Sequence, residues 1–257
     1  MTYRAFGYRL PEFLSAPLFG DRRRFGLVPQ TDDPCWQEWL DVYLRFYDSN
    51  QQQSAGAVVN GAGYRVMQQL DMTGKTVLEI GPGDIHHLPW WRGRPDCFYI
   101  GDIQQPMLDR SAARLAKLDI PHQSVLLERR ADGKLPFTDA QFDAVVSFYS
   151  LEHLYPLERY LEEMMRVLRP GGVLIGAIPA EGGLAWGLGR YLTSRRWLKR
   201  NTNINPDKII CWEHPNFADE ILNTLDRHLT RRSVRFWPLG VASIDLNLVI
   251  KFVYEKR

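Results

Sequence analysis

Lys75-Thr-Val-Leu-Glu-Ile-Gly-Pro-Gly-Asp84 is the stretch whose reading decides the fold. Val77, Leu78 and Ile80 make a continuous apolar run, the pattern of a parallel strand covered on both faces. Gly81 and Gly83 then let the backbone turn tightly and let a ligand approach where a Cβ would stand. Glu79 sits beside that turn. An ionised carboxylate only accepts hydrogen bonds, so the turn suits a ligand with ammonium or hydroxyl groups better than a bare pyrophosphate.

Downstream, the pattern continues as alternating strands and helices. Cys97–Gly101 reads as a second strand ending in Asp102, about twenty residues past the turn, where βαβ nucleotide sites place an acid on the ribose hydroxyls. Two such bonds are each worth roughly 1.5–3 kcal/mol; the plainer alternative is an ordinary strand-end acid. A helix follows over Gln104–Leu118, with Leu108, Ala112, Leu115 and Leu118 on one stripe. His122–Arg130 reads as a third strand and Phe142–Phe148 as a fourth, rich in β-branched residues. The fourth strand leads into Tyr149-Ser150-Leu151-Glu152-His153. Ligand crevices of open α/β sheets lie at the carboxyl ends of strands, so Glu152 and His153 are candidate general bases, against a capping role for His153. Leu157, Tyr160, Leu161, Met164, Met165 and Leu168 predict an amphipathic helix that stops at Arg169-Pro170-Gly171-Gly172. Val173–Ile178 is the fifth strand.

Three of these segments carry a family resemblance. Val77-Leu-Glu-Ile-Gly-Pro-Gly83 resembles the first motif of class I S-adenosylmethionine (SAM)-dependent methyltransferases. Asp132-Gly133-Lys134-Leu135-Pro136-Phe137 followed by Phe142-Asp143-Ala144-Val145 resembles a second signature of that family. Arg166-Val-Leu-Arg-Pro-Gly-Gly172 before a strand resembles a third. The resemblance covers roughly residues 75–178. It implies a Rossmann-like α/β fold: a seven-stranded, mostly parallel sheet with helices on both faces and a C-terminal antiparallel hairpin. It implies SAM as cofactor and S-adenosylhomocysteine as product. Glu79 and the Gly81-Pro82-Gly83 backbone would hold the aminopropyl arm, and Asp102 the ribose. Ile103 and Met107 would flank the adenosine, Asp132 and Gly133 the adenine edge, and Phe148 and Tyr149 would face the reacting centre. The sequence departs from the usual pattern at Ile85, where a third glycine is common. His86 and His87 would begin a short or kinked helix cut by Pro89, in surface or capping roles, since no third metal ligand is evident; no metal site is expected.

Residues 1–73 are expected to form an appended N-terminal lid, and 74–257 the methyltransferase domain. Residues 1–34, with Pro11, Pro17, Gly20, Pro29 and Pro34, read as irregular wrapping segments, and Arg22-Arg23-Arg24 as a solvated face. A helix begins at Pro34, capped by Asp33, with Trp36, Trp39, Leu40, Tyr43, Leu44 and Tyr47 at helical spacing. Residues 47–56 read as a polar connector, and Val58–Leu70 as a second helix. An insertion over 179–230 would shape the acceptor site: a helix over Leu184–Lys199 with a basic end, a polar loop over Asn201–Asp207, and a helix after Trp212-Glu213-His214-Pro215-Asn216. His214 joins the candidate bases. Glu213–Asn216 and Pro179–Gly183 weakly resemble glycan- and lipopolysaccharide-cluster methyltransferases. Ser233–Trp237 and Ile244–Tyr254 read as the last two strands.

The bulk numbers narrow the function. The 257 residues are 45% hydrophobic and 24% charged, enough for one large packed domain with an appendage. A net charge of +2 argues against nucleic acid as partner. The apolar runs are too short for a membrane span, and Met1–Gly20 lacks a signal-peptide core. Cys35, Cys97 and Cys211 are an odd, scattered set, which suits reduced thiols in the cytoplasm. The leading expectation is methyl transfer to a small molecule, a hydroxyl of a nucleotide-sugar or glycan intermediate first. A natural-product scaffold, an RNA substrate and a non-catalytic SAM-binding regulator are the alternatives. The sequence leaves the oligomeric state open, a homodimer included.

Overall fold

The computed structural model describes residues 2–48, 55–128, 130 and 132–257. Its centre is a seven-stranded sheet in the order β3-β2-β1-β4-β5-β7-β6. The strands are β1 (Thr76–Ile80), β2 (Cys97–Asp102), β3 (His122–Leu126), β4 (Phe142–Phe148), β5 (Leu168–Pro179), β6 (Thr230–Trp237) and β7 (Val249–Glu255). The first five run parallel, and β7 pairs antiparallel with both β5 and β6. β1 is buried along Val77–Ile80, and β4 is buried at every position but Asp143, as strands covered on both faces must be. One layer packs Leu78, Val145, Leu174 and Phe252 against α6 (Leu157–Val167) and α10 (Ala218–His228). The other packs Val77, Phe98, Val146 and Ile175 against α5 (Gln105–Lys117) and the segment Val66–Met72. At Gly176 β5 runs so close to β4 that a Cβ would stand 1.7 Å from the Ser147 oxygen.

Order reverses between β1 and β4, so the crevice at their carboxyl ends is the topological switch point. Gly81 (φ 69°) and Gly83 (φ 56°) lie on one side. Ser150 lies on the other, its hydroxyl donating to the Ile80 carbonyl over 2.9 Å.

The N-terminal segment is more regular than its prolines suggest. It holds a 3-10 turn at Gly7–Arg9, then α1 (Glu12–Phe19) and α2 (Arg22–Phe25). α3 (Pro34–Phe46) starts where expected, the Asp33 carboxylate accepting from the Cys35 amide over 2.9 Å. Leu40 is exposed, and Trp36, Trp39 and Val42 form its buried stripe. The polar connector falls largely on 49–54, outside the described residues. α4 (Ala55–Tyr64) tightens into a 3-10 turn over Arg65–Gln69.

Four further expectations are corrected. No α-helix follows the glycine turn; only Leu88–Trp90 form a 3-10 turn, because Pro89 and the left-handed Ile85 (φ 46°) divert the chain. β5 begins at Leu168, so the Pro-Gly-Gly run lies within the strand rather than before it. Residues 184–201 break at Thr193 into α7 (Leu184–Leu192) and α8 (Ser194–Asn201). The polar loop ends early in α9 (Pro206–Glu213), capped by Asn205. Among the described residues no helix is long and apolar enough to cross a membrane, and no three His, Cys, Asp or Glu side chains gather as a metal site.

Candidate active site

The carboxyl ends of β1, β2, β4 and β5 bring together two groups of residues. The first is the glycine turn and its surroundings. The Gly81 amide donates to the Gly101 carbonyl over 2.8 Å, which ties the turn to β2. The Ser111 hydroxyl of α5 donates to the Gly83 carbonyl over 2.6 Å. A Cβ on Gly83 would stand 2.6 Å from the Tyr47 hydroxyl oxygen, so the end of the α3 segment closes over the turn. Asp102 ends β2 with its carboxylate accepting from the Gln104 amide over 2.9 Å. Ile103 beside it is 41% exposed, whereas Met107 is buried. Pro82 is buried within the turn.

Other expected binding residues face elsewhere. Glu79 is fully enclosed, with both carboxylate oxygens against His87 Nε2 at 2.9 and 3.0 Å. His87 is therefore a core residue rather than a surface or capping one. Phe148 packs into the core, its ring 5.1 Å from Tyr64 and 4.9 Å from His87. Tyr149 is left-handed (φ 53°) and its hydroxyl donates to the Asn60 carbonyl over 2.9 Å. Asp132 is turned to solvent, held by Arg130 at 3.0 Å; that pairing holds its carboxyl below the ordinary range, at about 2. Gly133 (φ 66°) packs against the start of α6, where a Cβ would meet the Arg159 and Tyr160 backbone at 3.0 Å.

The second group gathers the three expected bases with two residues the sequence reading passed over. Glu152 and His153 lie in the 3-10 turn Leu151–His153 that leaves β4. Glu181 follows β5, and His214 ends α9. The His153 and His214 rings lie 4.8 Å apart. His214 Nδ1 is 3.1 Å from Glu181 Oε2. Glu181 also receives a two-pronged pair from Arg190 at 2.6 and 2.7 Å and a bond from Trp186 Nε1 at 2.8 Å. Glu181 could have been found by one rule: an acid just past a parallel strand's carboxyl end faces the crevice; Arg190, inside α7, carries no such signal.

Their electrostatics diverge. Burial alone would push Glu181 up, but Arg190 and His214 overturn it and hold the carboxyl well below its usual range. Glu152 has no such cation. Burial, with the Glu181 charge adding, pushes it up to about 8, and its buried Oε2 has no hydrogen-bond partner among the described residues. One acid is thus held ionised and its neighbour protonated at neutral pH, the pattern that separates acid and base roles. His153 Nδ1 donates to the Glu213 carbonyl. In a neutral ring that makes Nε2 the basic nitrogen, 3.9 Å from Glu152 Oε1. His153 and His214 are 33% and 23% exposed, so the imidazoles face outward and the carboxylates lie behind.

Arg22 belongs to this frame and not to a solvated face. Its guanidinium donates to the His214 and Pro215 carbonyls over 2.6 and 2.8 Å and lies 3.4 Å above the Phe217 ring. Arg195, in the basic end of the insertion, is buried against Asp207, while Arg196, Lys199 and Arg200 are exposed. A cavity of about 500 Å³ lined by Tyr99, Leu135 and Phe137 opens on the face of β2 and β3 and shares no lining residue with either group.

Residues 78–176 match the methyltransferase domain family. A demethylmenaquinone methyltransferase of Symbiobacterium thermophilum is 30% identical over 152 residues, 57% of this chain and 60% of that protein. The chain spans less than two thirds of the length of the curated relatives it matches first. Among solved structures, a candidate methyltransferase from Bacillus halodurans superposes with a TM-score of 0.54 at 13% identity, over 76% of this chain and 99% of that one. The cyclase SpnF superposes with a TM-score of 0.57 at 14% identity, over 90% and 98%. These two likenesses show the fold alone.

Proposed function

We propose that this chain, which belongs to the class I SAM-dependent methyltransferases through its domain at 78–176, moves a methyl group from SAM to a small-molecule acceptor held over Glu152, His153 and His214. SAM is the cofactor of this family. The residues present suit it: a glycine turn with two left-handed positions at the switch point, an acid ending β2, and the buried Glu79 carboxyl two residues before the turn. Gly81–Gly83 would take the aminopropyl arm and Asp102 the ribose, with Ile103 and Met107 beside the adenosine. Asp132 would have to leave Arg130 to reach the base. When bound, SAM supplies an activated methyl on a sulfonium leaving group.

The chain's own work is to orient the acceptor and take its proton. Orientation alone can supply roughly 7–11 kcal/mol of a barrier. The observation that carries the reading is the pairing of a partly exposed His214 with an ionised, buried Glu181. A carboxylate close behind an imidazole stabilises the imidazolium that forms on proton uptake, here through charge at 3.1 Å and not through an aligned hydrogen bond. His153 Nε2 offers a second acceptor for the same proton. His153 sits three residues beyond Ser150, which abuts the glycine turn, and His214 is brought to His153 from the end of α9. Residues 1–73 and 179–230 would close over this site and choose the acceptor.

A hydroxyl or a carbon acid is the acceptor this base suits. The Glu213–Asn216 run favours a sugar or glycan hydroxyl, in a cytoplasmic setting. The demethylmenaquinone methyltransferase and the ubiquinone/menaquinone C-methyltransferases among the relatives favour a second reading, methylation of a quinone-type carbon. Incubation with labelled SAM and both acceptor classes separates them. Label in a nucleotide sugar supports the first, label in a reduced quinone ring the second, and label in neither with SAM bound defeats both.

A further inference from the structure

Under the glycine turn lies a chain of hydrogen bonds that the proton-transfer site does not use. His87 Nε2 contacts both oxygens of Glu79, and Trp91 Nε1 donates to His87 Nδ1 over 2.7 Å. The missing helix after the turn explains how they meet. Ile85 is buried in a left-handed conformation and its amide donates to the Pro82 carbonyl, folding the chain back so that His87 points beneath β1. The 3-10 turn at Leu88–Trp90 then sets Trp91 against the far side of the ring. Glu79 is 0% and His87 1% exposed, and Phe148 and Phe98 wall the network through His87 and Trp91.

The donors fix the protons. An indole N–H only donates, so His87 Nδ1 accepts, and the ring proton sits on Nε2, aimed at Glu79. A doubly protonated ring would lose the Trp91 bond. His87 therefore gives Glu79 a hydrogen bond rather than a counter-charge. Among the described residues no lysine or arginine pairs with Glu79. Burial pushes the Glu79 carboxyl up and the His87 hydrogen bond pulls it back down, so its charge depends on that bond and on a cationic ligand at the turn two residues on.

We propose that His87 and Trp91 are positioning residues that hold Glu79 as a buried anion, and that this anion favours the sulfonium cofactor over its neutral thioether product. The proposal rests on the reading that the nucleoside binds at Gly81–Gly83. SAM and S-adenosylhomocysteine differ by one methyl and one positive charge, so the ratio of their affinities reports the fixed charge while the contacts they share cancel.

Calorimetric titration of both ligands into wild type, Glu79→Gln, His87→Leu and Trp91→Phe tests it, with thermal melts confirming that each variant folds. Glu79→Gln removes the charge and keeps the shape. His87→Leu removes the donor, and an unsupported buried acid takes up a proton. Trp91→Phe frees Nδ1 for a proton, which makes the ring a counter-cation. Each is expected to lower SAM affinity about tenfold or more and S-adenosylhomocysteine affinity less than about threefold, as a lost charge in a low-dielectric site requires. Equal losses for both ligands, or no loss, overturn the proposal. If the Glu79 and His87 variants do not fold, Trp91→Phe decides alone on the same criterion. Wild type binding neither ligand would instead defeat the site itself.

Discussion

At the scale of single residues, the account turns on which acids are charged. Glu152 and Glu181 share one crevice and differ because only Glu181 has Arg190. Glu152 titrates at about 8 in the fold and near the ordinary carboxylate range when unfolded. The folded state then binds the extra proton between those values, so this group makes stability fall as pH rises through that window. Glu152→Gln should abolish that slope: its melting temperature should match wild type near pH 5 and exceed it increasingly towards pH 8. Equal melting curves at pH 8 would place Glu152 in a more solvated setting. Asp102→Ala should weaken SAM binding by about 1.5–3 kcal/mol, the worth of charge-assisted bonds to ribose hydroxyls. Unchanged affinity by calorimetry would remove Asp102 from the site.

At the scale of elements, the parts legible in the sequence are those whose chemistry is local. Apolar runs ending in glycine or acid gave β1, β2 and β4 their positions. Asp33 and Pro34 announced α3, and Ser150 to His153 fell past a strand end by spacing. The rest depends on partners far along the chain. Nothing beside His87 signals that it lies under β1, since Glu79 is eight residues back and Trp91 four ahead. Arg22 reads as one of three arginines until the carbonyls of His214 and Pro215 are brought to it. α1 tolerates Pro17 and α9 starts inside a polar run, because tertiary packing overrides weak local preference. Gly63 shows the same dependence: in α4 a Cβ there would stand 2.2 Å from the Tyr149 hydroxyl oxygen. Gly63→Ala should displace Tyr149 from Asn60 and cost about 1–3 kcal/mol as overpacking. A melting temperature at or above wild type would mean that α4 shifts freely against β4.

At the scale of the molecule, the sheet supplies the proposed binding edge, and the N-terminal segment packs on the insertion through α1 and α7, the roof proposed to close over it. Arg190 joins the two, pairing with Glu181 past β5 and donating to the Leu18 carbonyl of α1 over 3.0 Å. Arg190→Met should leave Glu181 buried without its cation, at a cost of about 3–5 kcal/mol. For a chain of this size that lowers the melting temperature by on the order of 10 °C. A shift of only a degree or two would show that the roof does not depend on this pair. The same fold in the cyclase SpnF is a reminder that architecture does not fix chemistry. The assignment therefore stands on the occupied edge. The most direct measurement is a crystal structure of the chain grown with S-adenosylhomocysteine. The account places the amino-acid arm on Gly81–Gly83, the ribose on Asp102 and the sulfur on the side of His153 and His214. Density for the nucleoside anywhere else, with Tyr47 still closed on Gly83, would contradict it.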